Sequence, residues 1–229
     1  MDYWELKIVS MYRTVFLRIS CIVLFVSLAA CSRKKDIVRL PYYNTPDFTP
    51  LLLCGSKDAE RQVTHTIGNF SFIDQNGQCV TDHSVYGRIH VANFFFTGCG
   101  SICPVMMKHL KILQRAFRQN NNVMMLSYSV APWIDSVGRL RKYAGNMQIT
   151  SPNWHLLTGD KNNIYTLARR SYFAEEDLGF SEDSADFLHT EHILLVDRKL
   201  RLRGIYNGTL QLEVEQLRKD IDELLHEDD

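Results

Sequence analysis

The 229-residue chain has no excess of either charge: 26 lysines and arginines face 26 aspartates and glutamates, for a formal net charge of zero. It therefore lacks the basic footprint that holds nucleic acid, and nucleic acid is not an expected partner. Also missing is an apolar run long enough to cross a bilayer, since the stretch 21–28 falls well short of the roughly 20 residues a spanning helix needs. No internal repeat is present, which excludes a solenoid. Only one closely spaced cysteine pair occurs, with no second such pair or His pair beside it, so a closed zinc site would lack an evident fourth ligand. What is there, 45% hydrophobic residues and 11% aromatics, suffices for the core of one domain plus a leader.

The leader is expected over residues 1–30. Arg13 and Arg18 supply its positive region and residues 21–28 its apolar one, with Met11 as an alternative start. Leu28-Ala29-Ala30-Cys31 resembles a bacterial lipobox, in which the cysteine is lipidated and becomes the first residue; the other readings are a small-residue cleavage site or an uncleaved anchor. Residues 31–60, with Arg33-Lys34-Lys35 and Pro41, Pro46 and Pro50, are expected to form an extended lipid-anchored tether, and residues 61–229 the folded domain. Such a protein faces an oxidising extracytoplasmic space as a bacterial membrane lipoprotein on the periplasmic side. Cys54 and Cys79 either pair with each other or act as small buried hydrophobes.

The segment Phe94-Phe95-Phe96-Thr97-Gly98-Cys99-Gly100-Ser101-Ile102-Cys103-Pro104 sets two thiols four residues apart where an apolar run gives way to a helix. Met107, Leu110, Leu113 and Phe117 recur at helical spacing, and Pro104 suits a first turn. Cysteines at i and i+4 on one helical face would have Cβ atoms roughly 5–6 Å apart, near enough for a disulfide or for joint ligation of one metal. A helix N-terminus favours the thiolate that either chemistry needs.

The remaining pattern alternates. Strands are expected at 66–73 and 78–81, joined through Asn76-Gly77, then at 90–97, 123–130 and 154–157, with a hairpin at 192–197 and 201–206. Helices are expected at 103–119, 134–146, 160–170 and 212–225. A βαβ order followed by a hairpin and a last helix predicts an α/β fold: a thioredoxin-like mixed sheet flanked by helices, with an N-terminal β-hairpin.

The run Phe95-Phe96-Thr97-Gly98-Cys99-Gly100-Ser101-Ile102-Cys103-Pro104-Val105-Met106 resembles the CxxxCP signature of the Sco/SenC family, which assembles cytochrome c oxidase. The likeness extends from Leu40-Pro41-Tyr42-Tyr43-Asn44 through Trp154-His155-Leu156-Leu157-Thr158-Gly159-Asp160 to Leu188-His189-Thr190-Glu191 and Arg203-Gly204-Ile205-Tyr206-Asn207-Gly208. It implies a thioredoxin-like fold and copper, as Cu(I) or Cu(II), held by Cys99, Cys103 and a distant histidine. His189, six residues before Leu195, fits the family spacing better than His192, which alternates with Leu194 and Val196 along a strand. The implied function is a membrane-tethered copper chaperone for the CuA centre of a respiratory oxidase, its partner an oxidase subunit or another copper protein. Two thiolates and an imidazole suit Cu(I).

Two departures stand out. Ala131 replaces the first acid of the Asp-Pro-x-x-Asp that relatives often carry, leaving Asp135, whose simplest role is a helix N-cap, and Gly100 stands where many relatives have proline. Met106 and Met107 suit a helix core better than copper ligation. The same cysteines also fit a thiol-disulfide oxidoreductase with Cys99 and Cys103 as its redox-active pair, a peroxidase, or a purely structural disulfide.

Overall fold

The computed structural model describes residues 40–53, 56–174 and 190–227. The elements are β1 (Tyr42–Tyr43), β2 (Pro50–Leu51), α1 (Ser56–Gln62), β3 (Ser71–Asp74), β4 (Cys79–Thr81), α2 (Asp82–Val85), β5 (Ile89–Phe95) and α3 (Ile102–Phe117). There follow β6 (Val123–Ser129), α4 (Val137–Asn146), β7 (Trp154–Thr158), α5 (Lys161–Thr166) with a π turn at Leu167–Ser171, β8 (His192–Val196), β9 (Leu202–Asn207) and α6 (Gln211–His226). No helix among the described residues is long and apolar enough to cross a membrane.

Seven strands form one mixed sheet in the order β4-β3-β7-β6-β5-β8-β9, and β1 pairs with β2 alone. Strands β5, β6 and β7 run parallel at its centre, and an antiparallel hairpin flanks them on either side. Every residue of β5 and β6 is buried, as expected of parallel strands covered on both faces. Alternation splits the side chains between two cores: Ala92, Phe94, Leu126 and Tyr128 face one, while Val91, Phe95, Val123 and Met125 face the other. The first core takes Ile164 and Tyr165 of α5 and Tyr172; the second takes the inner faces of α3, α4 and α6. In α3, Met106, Met107, Leu110 and Leu113 are wholly buried, and each contributes about 1.5–3 kcal/mol by leaving water. This is the expected thioredoxin-like mixed sheet.

The N-terminal β3–β4 hairpin closes through Gln75-Asn76-Gly77. The Asp74 amide donates to the Gln78 carbonyl, the Asp74 carboxylate accepts from the amides of Asn76 and Gln78, and Gly77 takes φ +82°, which a residue with a Cβ resists.

Within the expected tether, residues 40–51 pack onto the domain and do not run free of it. Tyr42 is buried and Tyr42–Tyr43 pairs with Pro50–Leu51, while Asn44 accepts from the amides of Thr64 and His65 and donates to the Gln62 carbonyl. The cause is Arg203, 1% exposed on β9. Its guanidinium donates to the carbonyls of Leu40 and Pro41, lies 3.9 Å from the Tyr42 ring centroid, and pairs with Glu227 at 3.0 Å and Asp197 at 3.5 Å. A buried guanidinium needs such partners, and the sequence pattern did not show that the backbone of residues 40–41 would be among them. Residues 40–53 and α1 thus belong to the folded part, and residues 1–39 lie outside the described ones.

Arg203→Ala is expected to lower the unfolding free energy by about 3 kcal/mol in urea, because it leaves buried acids and carbonyls unpaired, and to open residues 40–53 to proteolysis.

Candidate metal and dithiol site

Strand β5 delivers the thiol loop and α3 receives it. Helix α3 starts at Ile102, so Cys103 sits in its first turn and Cys99 precedes it in the loop. The two cysteines are not neighbours on one helical face, contrary to the spacing argument; a turn brings them together, in which the Cys99 amide donates to the Phe96 carbonyl at 3.2 Å. Both thiols are free, and Cys99 Sγ lies 3.8 Å from the Ser101 hydroxyl. Pro104 occupies the first turn, where no amide proton is needed.

The two thiols are unlike. Burial alone would raise Cys99, but the amides of Ser101 and Cys103, the Cys103 thiol and the Ser101 hydroxyl outweigh it and bring its pKa down to about 7. Cys103, 5% exposed, is pushed up to about 12, first by burial and then by the neighbouring Cys99 sulfur. One sulfur is therefore poised as a thiolate and the other keeps its proton.

Asp135 fixes the loop from the side. Wholly buried, its carboxylate accepts from the Thr97 amide (3.1 Å), the Thr97 hydroxyl (2.5 Å) and the Ser129 hydroxyl (2.6 Å). Arg139 Nε donates to Thr97 Oγ1 at 2.6 Å and stands 3.5 Å from the carboxylate. Asp135 is thus not the helix N-cap. Ser136 is, accepting from the Arg139 amide. One residue of offset turns the carboxylate inward to the loop, a role that spacing did not reveal; the sole sequence signal was an acid placed beside a serine cap.

Met106 and Met107 are fully buried, and Asn93 Nδ2 points at both sulfurs at 4.0 and 3.8 Å, so they are core side chains as expected. His192 shares its strand face with Leu194 and Val196, lies 6.0 Å from the Phe48 ring, and so faces the core opposite Cys103. Cys79 is exposed with a free thiol, so it is not a small buried hydrophobe. Cys31, Cys54 and His189 lie outside the described residues, and among the described ones no cluster of three His, Cys, Asp or Glu gathers for a metal. Pairing of Asn93 with Ile193, continued by two residues, carries Glu191 alongside Phe95. The Glu191 carbonyl accepts from the Gly208 amide, and a Cβ on Gly208 would meet Met106 at 2.6 Å. The chain entering β8 therefore arrives at the pole of the sheet that carries the thiols.

A thioredoxin-like fold bearing an asymmetric CxxxC dithiol after one of its parallel central strands defines the class. The profile of the SCO1/SenC family matches residues 58–226, and the chain belongs to that family. It is 30% identical over 176 residues to the SCO1 protein homolog of Bacillus subtilis, covering 76% of this chain and 90% of the relative. Its fold matches that of BsSco, described as a member of the Sco family of cytochrome c oxidase assembly proteins with a disulfide switch, at 28% identity and a TM-score of 0.60, over 72% of this chain and 95% of the other. It also matches Bradyrhizobium japonicum ScoI, solved with copper bound, at 25% identity and a TM-score of 0.55, over 69% and 99%.

In the reduced protein, alkylation of Cys99 by iodoacetamide is expected to rise with pH to half its maximum near pH 7, because roughly half of that thiol is ionised there against about 1% of one titrating near pH 9. Cys103 should resist until far more alkaline pH; peptide mass spectrometry separates the two.

Proposed function

We propose that this chain is a copper-binding chaperone, held to the membrane by lipid on Cys31, that delivers copper to, or helps assemble, the CuA centre of a respiratory cytochrome oxidase. The observation that carries the reading is the pair of free thiols, Cys99 and Cys103, on either side of the start of α3 in a loop that Asp135 anchors through Thr97. Two soft sulfurs suit Cu(I), and an imidazole completes a three-coordinate set. His189 is the proposed third ligand: it stands two residues before Glu191, whose position beside the thiol pole supports it. Membership of the SCO1/SenC family and the copper-bound Bradyrhizobium relative support copper as the cargo.

In this reading residues 1–30 are a lipoprotein-type signal peptide, the segment after Cys31 is a short tether, and the domain works on the periplasmic side against an oxidase subunit or another copper protein. Loading draws on Cys99 first, since it gives up its proton near neutrality, and Cys103 then loses its own to the solvent as the second sulfur closes on the ion. A Cys99–Cys103 disulfide blocks loading, so the protein takes copper only when reduced.

Anaerobic titration of the reduced chain should show one equivalent of Cu(I) bound, abolished by Cys99→Ser and weakened at least about tenfold by His189→Ala. Unchanged affinity in the histidine variant would remove it from the ligand set.

The inequality of the thiols favours a second reading, an extracytoplasmic thiol-disulfide oxidoreductase. Cys99 thiolate would attack a client disulfide to form a mixed disulfide and expel one client thiolate; Cys103 would then attack Cys99, closing the pair and releasing the second. Under this reading Cys103→Ser accumulates covalent complexes with exported or oxidase-subunit proteins, seen on non-reducing gels; under copper delivery alone it does not.

A further inference from the structure

Asp135, Arg139 and Tyr143 recur every four residues and so line one side of α4 and its approach. The first two are committed to Thr97. Tyr143 is not committed to anything polar: its ring packs against Phe95, centroids 5.5 Å apart, beside the core that holds Cys103. Its hydroxyl is closed off from water and has no hydrogen-bond partner among the described residues. Leaving a buried hydroxyl unsatisfied costs about 1–3 kcal/mol, so a partner in another state of the protein would explain it.

The candidates are few. After burial itself, the groups that act most on the phenol are Cys103, then Cys99, then Asp135. Both oxygens of Asp135 already accept from Thr97 and Ser129. Two sulfurs remain. In the metal-free protein both thiols are free and neither sulfur accepts from the phenol, in keeping with a neutral thiol being a weak acceptor. A thiolate bound to metal is charged and accepts strongly.

We propose that Tyr143 is a positioning residue whose hydroxyl donates to the Cys103 sulfur in the copper-loaded protein, a role that rests on the copper reading above. The phenol orients the buried ligand and withdraws charge from it, and the hydroxyl gains on loading the partner it lacks beforehand.

The test compares the full chain in detergent micelles, wild type against Tyr143→Phe, which removes only the hydroxyl. Competition for Cu(I) against a chromophoric chelator should show about tenfold weaker binding in the variant, the lower end of what partners of metal ligands contribute. With Cu(II), the sulfur-to-copper charge-transfer band should move to longer wavelength, because an undonated thiolate holds its electrons less tightly. Metal-free, the variant should unfold at the same or a higher urea concentration, since an unsatisfied buried hydroxyl has been deleted. A less stable metal-free variant would mean that the hydroxyl already has a partner, and would overturn the proposal. So would equal affinity and an unmoved band in a variant whose wild type loads copper normally. A wild type that takes up no copper overturns the chaperone reading and this role with it.

Discussion

The carboxylate of Asp135, out of reach of water, takes three hydrogen bonds from two residues at the ends of β5 and β6, and the thiol loop takes its shape from them. A buried carboxylate is costly unless donors surround it, so those donors are held as firmly by the acid as the acid is by them. Thr97 lies two residues before Cys99. Anchoring it at both amide and hydroxyl fixes where β5 stops and where the loop turns toward α3. Arg139 closes the arrangement from α4, which ties the parallel pair of strands and one covering helix to the same point.

From that anchor the chemistry of the sulfurs follows by environment alone. Cys99, ahead of the helix, meets the amides of Ser101 and Cys103 and gives up its proton near neutrality; Cys103, in the first turn, sits among Phe95, Met106 and Leu110 and keeps its proton. Identical side chains are thus made unequal by a displacement of four residues across a helix start. The inequality suits either stepwise capture of a soft cation or attack and resolution at a disulfide. Both chemistries need the same pair reduced.

The opposite end of the sheet serves attachment. Arg203 draws the backbone of residues 40–41 onto β9 and joins it to Glu227 near the close of α6, so the first described residues are fastened close to the last. Asp197 and Tyr42 fill the remaining faces of the guanidinium. The segment that a run of prolines and basic residues suggested would be extended is partly domain, because one buried arginine required carbonyl acceptors.

Local pattern by itself determined most of the architecture. The alternation of apolar strands and amphipathic helices, the Asn76-Gly77 turn and the CxxxCP run each depend on interactions within a few residues, and each stands within a few positions of where the pattern put it. The parity of β8 likewise set His192 on one face with Leu194 and Val196, since a strand must alternate, and the packed sheet decided that this face lies opposite the thiols. Tertiary structure alone decided what rests on long-range contacts: the inward turn of Asp135, the clamp of Arg203 on residues 40–41, the helix start that leaves Cys99 in the loop, and the unpartnered hydroxyl of Tyr143. These depend on which backbone and side-chain groups are left needing partners once the sheet has closed, and such a need is a property of the packed chain that no window of neighbouring residues contains.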